Sequence, residues 1–93
     1  MVKAVWHGET FAESDDTVVV EGNHYFARED VKMDGLVPSE TSSHCPWKGE
    51  ASYFSLRAEG ITNADAAWTY EDPKDAAAEI KGRIAFWKGV EVG

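Results

Sequence analysis

The chain has 93 residues and a mass of 10.3 kDa, which suits one domain over 1–93 and leaves too little for a second hydrophobic core. Hydrophobic residues at 43% and charged ones at 28% exclude a disordered tail. The net charge of −8 repels phosphate backbones and anionic lipid surfaces, so neither nucleic acid nor a membrane is an expected partner.

The first 26 residues read as two β-hairpins, because short β-rich runs alternate with turns that carry glycine. Val2, Ala4 and Trp6 fall on one face of the first strand. His7-Gly8-Glu9 turns the chain into Thr10–Glu13, and Ser14-Asp15-Asp16 leads to Thr17–Val20. Glu21-Gly22-Asn23 then turns it into His24-Tyr25-Phe26. Arg28–Val31 is long enough for a single helical turn, which Gly35 and Pro38 keep short, and Pro38–Ser43 is a loop by composition.

Glu50–Leu56 reads as a strand with Ala51 and Tyr53 on one side and Phe54 and Leu56 on the other. In the next strand, Ala64–Tyr70, Ala66, Trp68 and Tyr70 alternate with Asp65, Ala67 and Thr69. A helix is predicted from Asp72-Pro73, with Asp72 as N-cap, Pro73 in the first turn and Gly82 ending it in a left-handed conformation. Arg83–Trp87 and Val90–Val92 complete the strands. The expected fold class is mainly β, or α+β, with antiparallel sheets and one short helix in the C-terminal half.

Cys45 is the one cysteine, so no internal disulfide forms, and MVKAVWHGET lacks the basic stretch and apolar core of a signal peptide. The longest apolar runs, such as Val18–Val20, fall far below the roughly 20 residues that span a bilayer. A cytoplasmic location is expected. His7, His24, His44 and Cys45 lack the short paired spacing of a zinc site, so no metal or cofactor is expected. His44 and Cys45 are neighbours whose side chains diverge, so a thiol nucleophile needs His7 or His24 folded over Cys45. Ser42, Ser43, Lys48 and Gly49 offer hydroxyls and a cation to a phosphate, but without the G-x-x-x-x-G-K-[ST] spacing that aims backbone amides at one anion.

The aromatic set carries more information. Trp6, Tyr25, Trp47, Tyr53, Trp68, Tyr70 and Trp87 are many for so small an interior, and indole and phenol groups need polar partners when buried. A pocket walled by Trp47, Tyr53, Trp68 and Tyr70 suits a small planar or cationic ligand, with Lys48 and Ser43 fixing its orientation.

Tyr25-Phe26, Glu29-Asp30-Val31, Ser43–Gly49, Ala51-Ser52-Tyr53, Ala66–Tyr70, Asp72-Pro73, Ile80-Lys81-Gly82 and Ala85-Phe86 together resemble the successive motifs of the Domain of Unknown Function 427 family. The C-P-W-K-G-x-A-x-Y and A-A-W-T-Y blocks are the specific part. Ala27 stands where the family usually has proline after its Tyr-Phe pair, and Glu71 where it often has another. The resemblance implies a small, two-sheet β-tent-like domain related to the cereblon ligand domain and methionine sulfoxide reductase B. It also brings a nucleotidyltransferase-type label, with no catalytic residue to carry over. The candidate ligand-binding residues are Ser43, Cys45, Trp47, Lys48, Tyr53, Trp68 and Tyr70. A binding module for a small molecule is the leading expectation; an enzyme of nucleotidyltransferase or thiol type, and a structural or homodimeric interaction module, are the alternatives.

Overall fold

The computed structural model describes residues 1–93. Nine strands run in the order β1 (Val2–Trp6), β2 (Glu9–Ser14), β3 (Val18–Val20), β4 (Asn23–Tyr25), β5 (Leu36–Cys45), β6 (Gly49–Ala58), β7 (Ile61–Thr69), β8 (Ile84–Phe86) and β9 (Glu91–Val92). They form three antiparallel sheets: β2-β1-β9, the hairpin β3-β4, and β5-β6-β7-β8. The architecture is mainly β, with three sheets where two were expected.

The turns follow from local chemistry. His7-Gly8, Glu21-Gly22, Glu59-Gly60 and Lys88-Gly89 all hold positive φ at both residues. Two successive left-handed residues match the right-handed twist of flanking strands, and glycine at the second removes half the steric cost.

The four-stranded sheet is covered on both faces. Alternation along β6 and β8 sends Phe54, Leu56, Ile84 and Phe86 to one face, where they pack with Ala4, Phe11 and Ala12 of the β1–β2 layer. The other face carries Ala51, Tyr53, Trp68 and Ala85 and packs against Tyr25, Val18, Val20, Ala77 and Ile80. This second cover consists of two three-residue strands and one short turn of chain. It is too small to hide the whole face.

Two expectations are corrected. Pro38–Ser43 is part of β5, paired to β6 on both sides of a register shift between Pro38 and Ser42. Its loop-like composition reflects an edge strand exposed along most of its length, where serine, threonine and a proline without an N–H are tolerated. The predicted helix is only a 3-10 segment, Asp75–Ile80, interrupted at Ala77 (φ −121°, ψ 24°). Lys74 stands at its N-cap without a side-chain capping bond, so Asp72 does not cap it. The Lys74 N–H donates to the Lys48 carbonyl at 2.9 Å, fixing the entry to the segment, and three-residue spacing aligns Ala77 and Ile80 toward the core. Gly82 does follow in a left-handed conformation, φ +70°.

Candidate functional site

The incompletely covered face contains a pocket of about 270 Å³ lined by Asn23, Lys48, Tyr53, Trp68, Tyr70 and Trp87. Tyr53 and Trp68 are directly opposed across β6 and β7, and Trp68 is opposed to Ala85 across β7 and β8. Trp68 meets Trp87 edge to face, with centroids 5.7 Å apart at 76°, and Tyr53 lies 6.3 Å from Trp87. Strand pairing brings these three rings together.

The walls are held by hydrogen bonds made at the polar edges of their rings. Trp68 Nε1 donates to Tyr25 Oη at 3.1 Å, and Trp87 Nε1 donates to the Asp65 carbonyl at 2.6 Å. The Ser43 and Tyr53 hydroxyls are 2.9 Å apart. With indole N–H groups already satisfied, stacking onto those rings does not strand a donor. Trp87 is 44% exposed and forms the outer lip.

Asp65 supports that lip by an unusual backbone. Its φ of +56° lies in the left-handed region, within an irregularity of the β6–β7 register between Phe54 and Leu56. Its amide donates to Ser55 Oγ at 3.1 Å, and its carboxylate accepts from Thr41 Oγ1 at 2.8 Å. Hydrogen bonds from Ser39 and Thr41 hold that carboxyl below its ordinary range. A bulge beside a pocket re-aims neighbouring side chains, and here it presents a carbonyl to Trp87.

Lys48 is the charged residue of the lining. It is only 7% exposed, and its ammonium forms an ion pair with Glu21 on the β3–β4 turn. Nζ lies 5.3 Å from the Trp47 ring centroid and 5.7 Å from that of Tyr70. Burial pulls the Lys48 pKa down, but the Glu21 hydrogen bond and nearby Tyr70, Tyr25 and Cys45 outweigh it, for a net upward shift. The Lys48 hydrogen bond in turn holds the Glu21 carboxyl below its ordinary value. Burial raises the Tyr25 and Tyr70 hydroxyls, which stay protonated further into alkali.

The turn before β6 is clamped to place this lysine. Lys74 Nζ donates to the Pro46 carbonyl at 2.6 Å. Gly49 has φ +110°, and a Cβ there would sit 3.5 Å from the Lys74 nitrogen and 3.6 Å from Pro73 Cα. The backbone shape, more than the space, requires glycine.

A family model described as Domain of unknown function (DUF427) matches residues 1–92. The chain belongs to this family. No curated protein matches it. In this DUF427 chain, the Cys45–Tyr53 and Ala66–Tyr70 blocks contribute Lys48, Tyr53, Trp68 and Tyr70 to one hollow. Ala27 has φ −62° and ψ 145°, values that a proline also adopts, so the departure there leaves the backbone path intact. Glu71 forms an ion pair with Arg28.

The other candidate residues lie outside the lining. Trp47, expected as a wall, is 40% exposed and stacks beyond Lys48, while Trp87 stands in the place expected for it. Ser43 braces Tyr53 from behind, and Cys45 is half-buried against the Tyr25–Tyr70 cluster. Asn23 and Trp87 line the pocket although sequence reasoning did not select them. Trp87 belonged to the aromatic surplus; Asn23 gave no signal beyond its place in a turn.

The histidines, Cys45 and the carboxylates lie apart. His24 Nδ1 is 2.7 Å from Thr17 Oγ1, His7 Nε2 is 3.7 Å from Glu59, and His44 is exposed, so no imidazole is paired with Cys45. No group of three His, Cys, Asp or Glu side chains converges on one point. No helix is long and apolar enough to cross a membrane.

Proposed function

We propose that this DUF427 chain is a binding module for a small planar ligand that carries an acceptor or a single negative charge. The observation that carries the reading is the placing of Lys48 at one side of a hollow walled by Tyr53, Trp68, Tyr70 and Trp87. A flat ring stacks on indole and phenol faces, and about 270 Å³ suits one ring system with a short substituent. Lys48 receives the acceptor, and the Asn23 amide both donates to and accepts from the ring edge. Because Glu21 already balances the Lys48 charge, the pocket favours a ligand with an acceptor or one negative charge through the remaining donors of the ammonium.

Binding offers a direct signal, because Trp68 and Trp87 are part of the walls. Titration of the protein with a panel of aromatic carboxylates and nucleobases is expected to give saturable quenching by at least one compound, together with a raised melting temperature. Trp87→Ala is expected to weaken that binding. A panel in which no compound changes emission or melting overturns the reading.

A further inference from the structure

A second hollow, of about 350 Å³, is lined by Ala27, Arg28, Glu29, Lys81, Gly82 and Arg83. It is built where two distant stretches pair: Phe26 N donates to the Ile84 carbonyl at 2.8 Å and Ile84 N to the Phe26 carbonyl at 2.9 Å. That antiparallel bridge brings Arg28 alongside Gly82. A parallel bridge between Tyr70 and Lys81 ties down the third strand of chain.

Three of the nine Lys and Arg residues therefore line one hollow of a protein whose net charge is −8. Their guanidinium groups are held by main chain. Arg28 Nε donates to the Gly82 carbonyl at 2.7 Å, and Arg83 Nη1 donates to the carbonyls of Asp16 at 3.0 Å and Tyr25 at 3.2 Å. Carbonyl oxygens fix a side chain without cancelling its charge, so much of the ordering cost of binding is already met. Arg28 Nη2 also pairs with Glu71, and Glu29 is part of the lining. Lys81 and Arg83 enter no ion pair. The balance of the five charged groups is positive.

We propose that this hollow is an oxyanion site that takes inorganic phosphate or the phosphoryl end of a small phosphomonoester. Two arginines and a lysine in one lining offer several charge-assisted donors, which suit a tetrahedral anion with several acceptor oxygens better than a planar carboxylate. The site is separate from the aromatic pocket and does not depend on a ligand there.

The test is an amide NMR titration of the full chain with sodium phosphate, methyl phosphate and sodium acetate, at constant ionic strength set by chloride. Saturable shifts at Arg28, Lys81 and Gly82 are expected with phosphate, and acetate is expected to bind at least several-fold more weakly. Methyl phosphate binding as tightly as phosphate identifies the ester end as ligand; much weaker binding identifies the free ion. Arg83→Gln is expected to weaken binding by about tenfold, the loss of one charge-assisted hydrogen bond. Because Arg83 also braces Asp16 and Tyr25, Lys81→Gln is the second variant: its side chain makes no ion pair, and it is expected to fold normally and bind about threefold more weakly or worse. Linear shifts without saturation, equal binding of acetate, or unchanged affinity in a folded Lys81→Gln protein each overturn the proposal.

Discussion

The Trp68 indole N–H donates to the Tyr25 hydroxyl at 3.1 Å, and the two rings meet edge to face at 88°, their centroids 6.1 Å apart. One contact joins the fully buried Tyr25 of β4 to a wall of the pocket on β7. Tyr25→Phe keeps the ring packing and strands the indole donor. A loss of about 1 kcal/mol in urea unfolding is expected. The double variant Tyr25→Phe with Trp68→Phe is expected to recover part of the summed losses, and strict additivity means that the two groups are not coupled.

Gly35 closes a 3-10 turn against the core, and a Cβ there would lie 2.8 Å from Phe11 Cε1. Phe11 is itself fully buried and cannot swing outward. Gly35→Ala is expected to destabilise by about 1–3 kcal/mol through overpacking. A thermal melt that matches the parent protein excludes this steric account.

Asp65 has φ +56° within β7, a conformation that Asn and Gly tolerate and a β-branched residue does not. Asp65→Asn is expected to keep the fold within about 1 kcal/mol, whereas Asp65→Val is expected to cost about 1–3 kcal/mol. Because the Asp65 carbonyl holds Trp87, the valine variant should also shift tryptophan emission. Equal stability of the two variants contradicts the strain argument.

The Glu21–Lys48 pair gives stability a window in pH. Glu21 is lowered below its ordinary 4.5, so its contribution is present above that pH and is lost as acid carries the solution down through the folded-state value. Lys48 is raised above 10.5, and Tyr25 and Tyr70 above 10.0, so their contributions are intact below those values and fade as pH rises beyond them. Melting temperature against pH is expected to fall at both ends. Glu21→Gln is expected to flatten the acid limb; an unchanged limb assigns it to other carboxylates.

Short-range chemistry alone determined several features. Each X-Gly pair specified its turn, since two left-handed residues need glycine in one position, and alternation in Glu50–Leu56 separated Ala51 and Tyr53 from Phe54 and Leu56 before any pairing was known. Lys48, Tyr53, Trp68 and Tyr70 stood out as residues in the sequence beside Ser43, Cys45 and Trp47, but which of the seven share a hollow was not legible there. Tertiary structure decided the rest. Pro38–Ser43 became an edge strand because β6 supplied a partner for its backbone, and the stretch from Asp72 to Gly82 forms only a 3-10 segment, entered through the Lys74 amide bond to Lys48 instead of an Asp72 cap, with Ala77 and Ile80 packed into the core. Asn23 and Trp87 joined the pocket, and Arg28 met Gly82, only through contacts between distant segments, which no local pattern encodes.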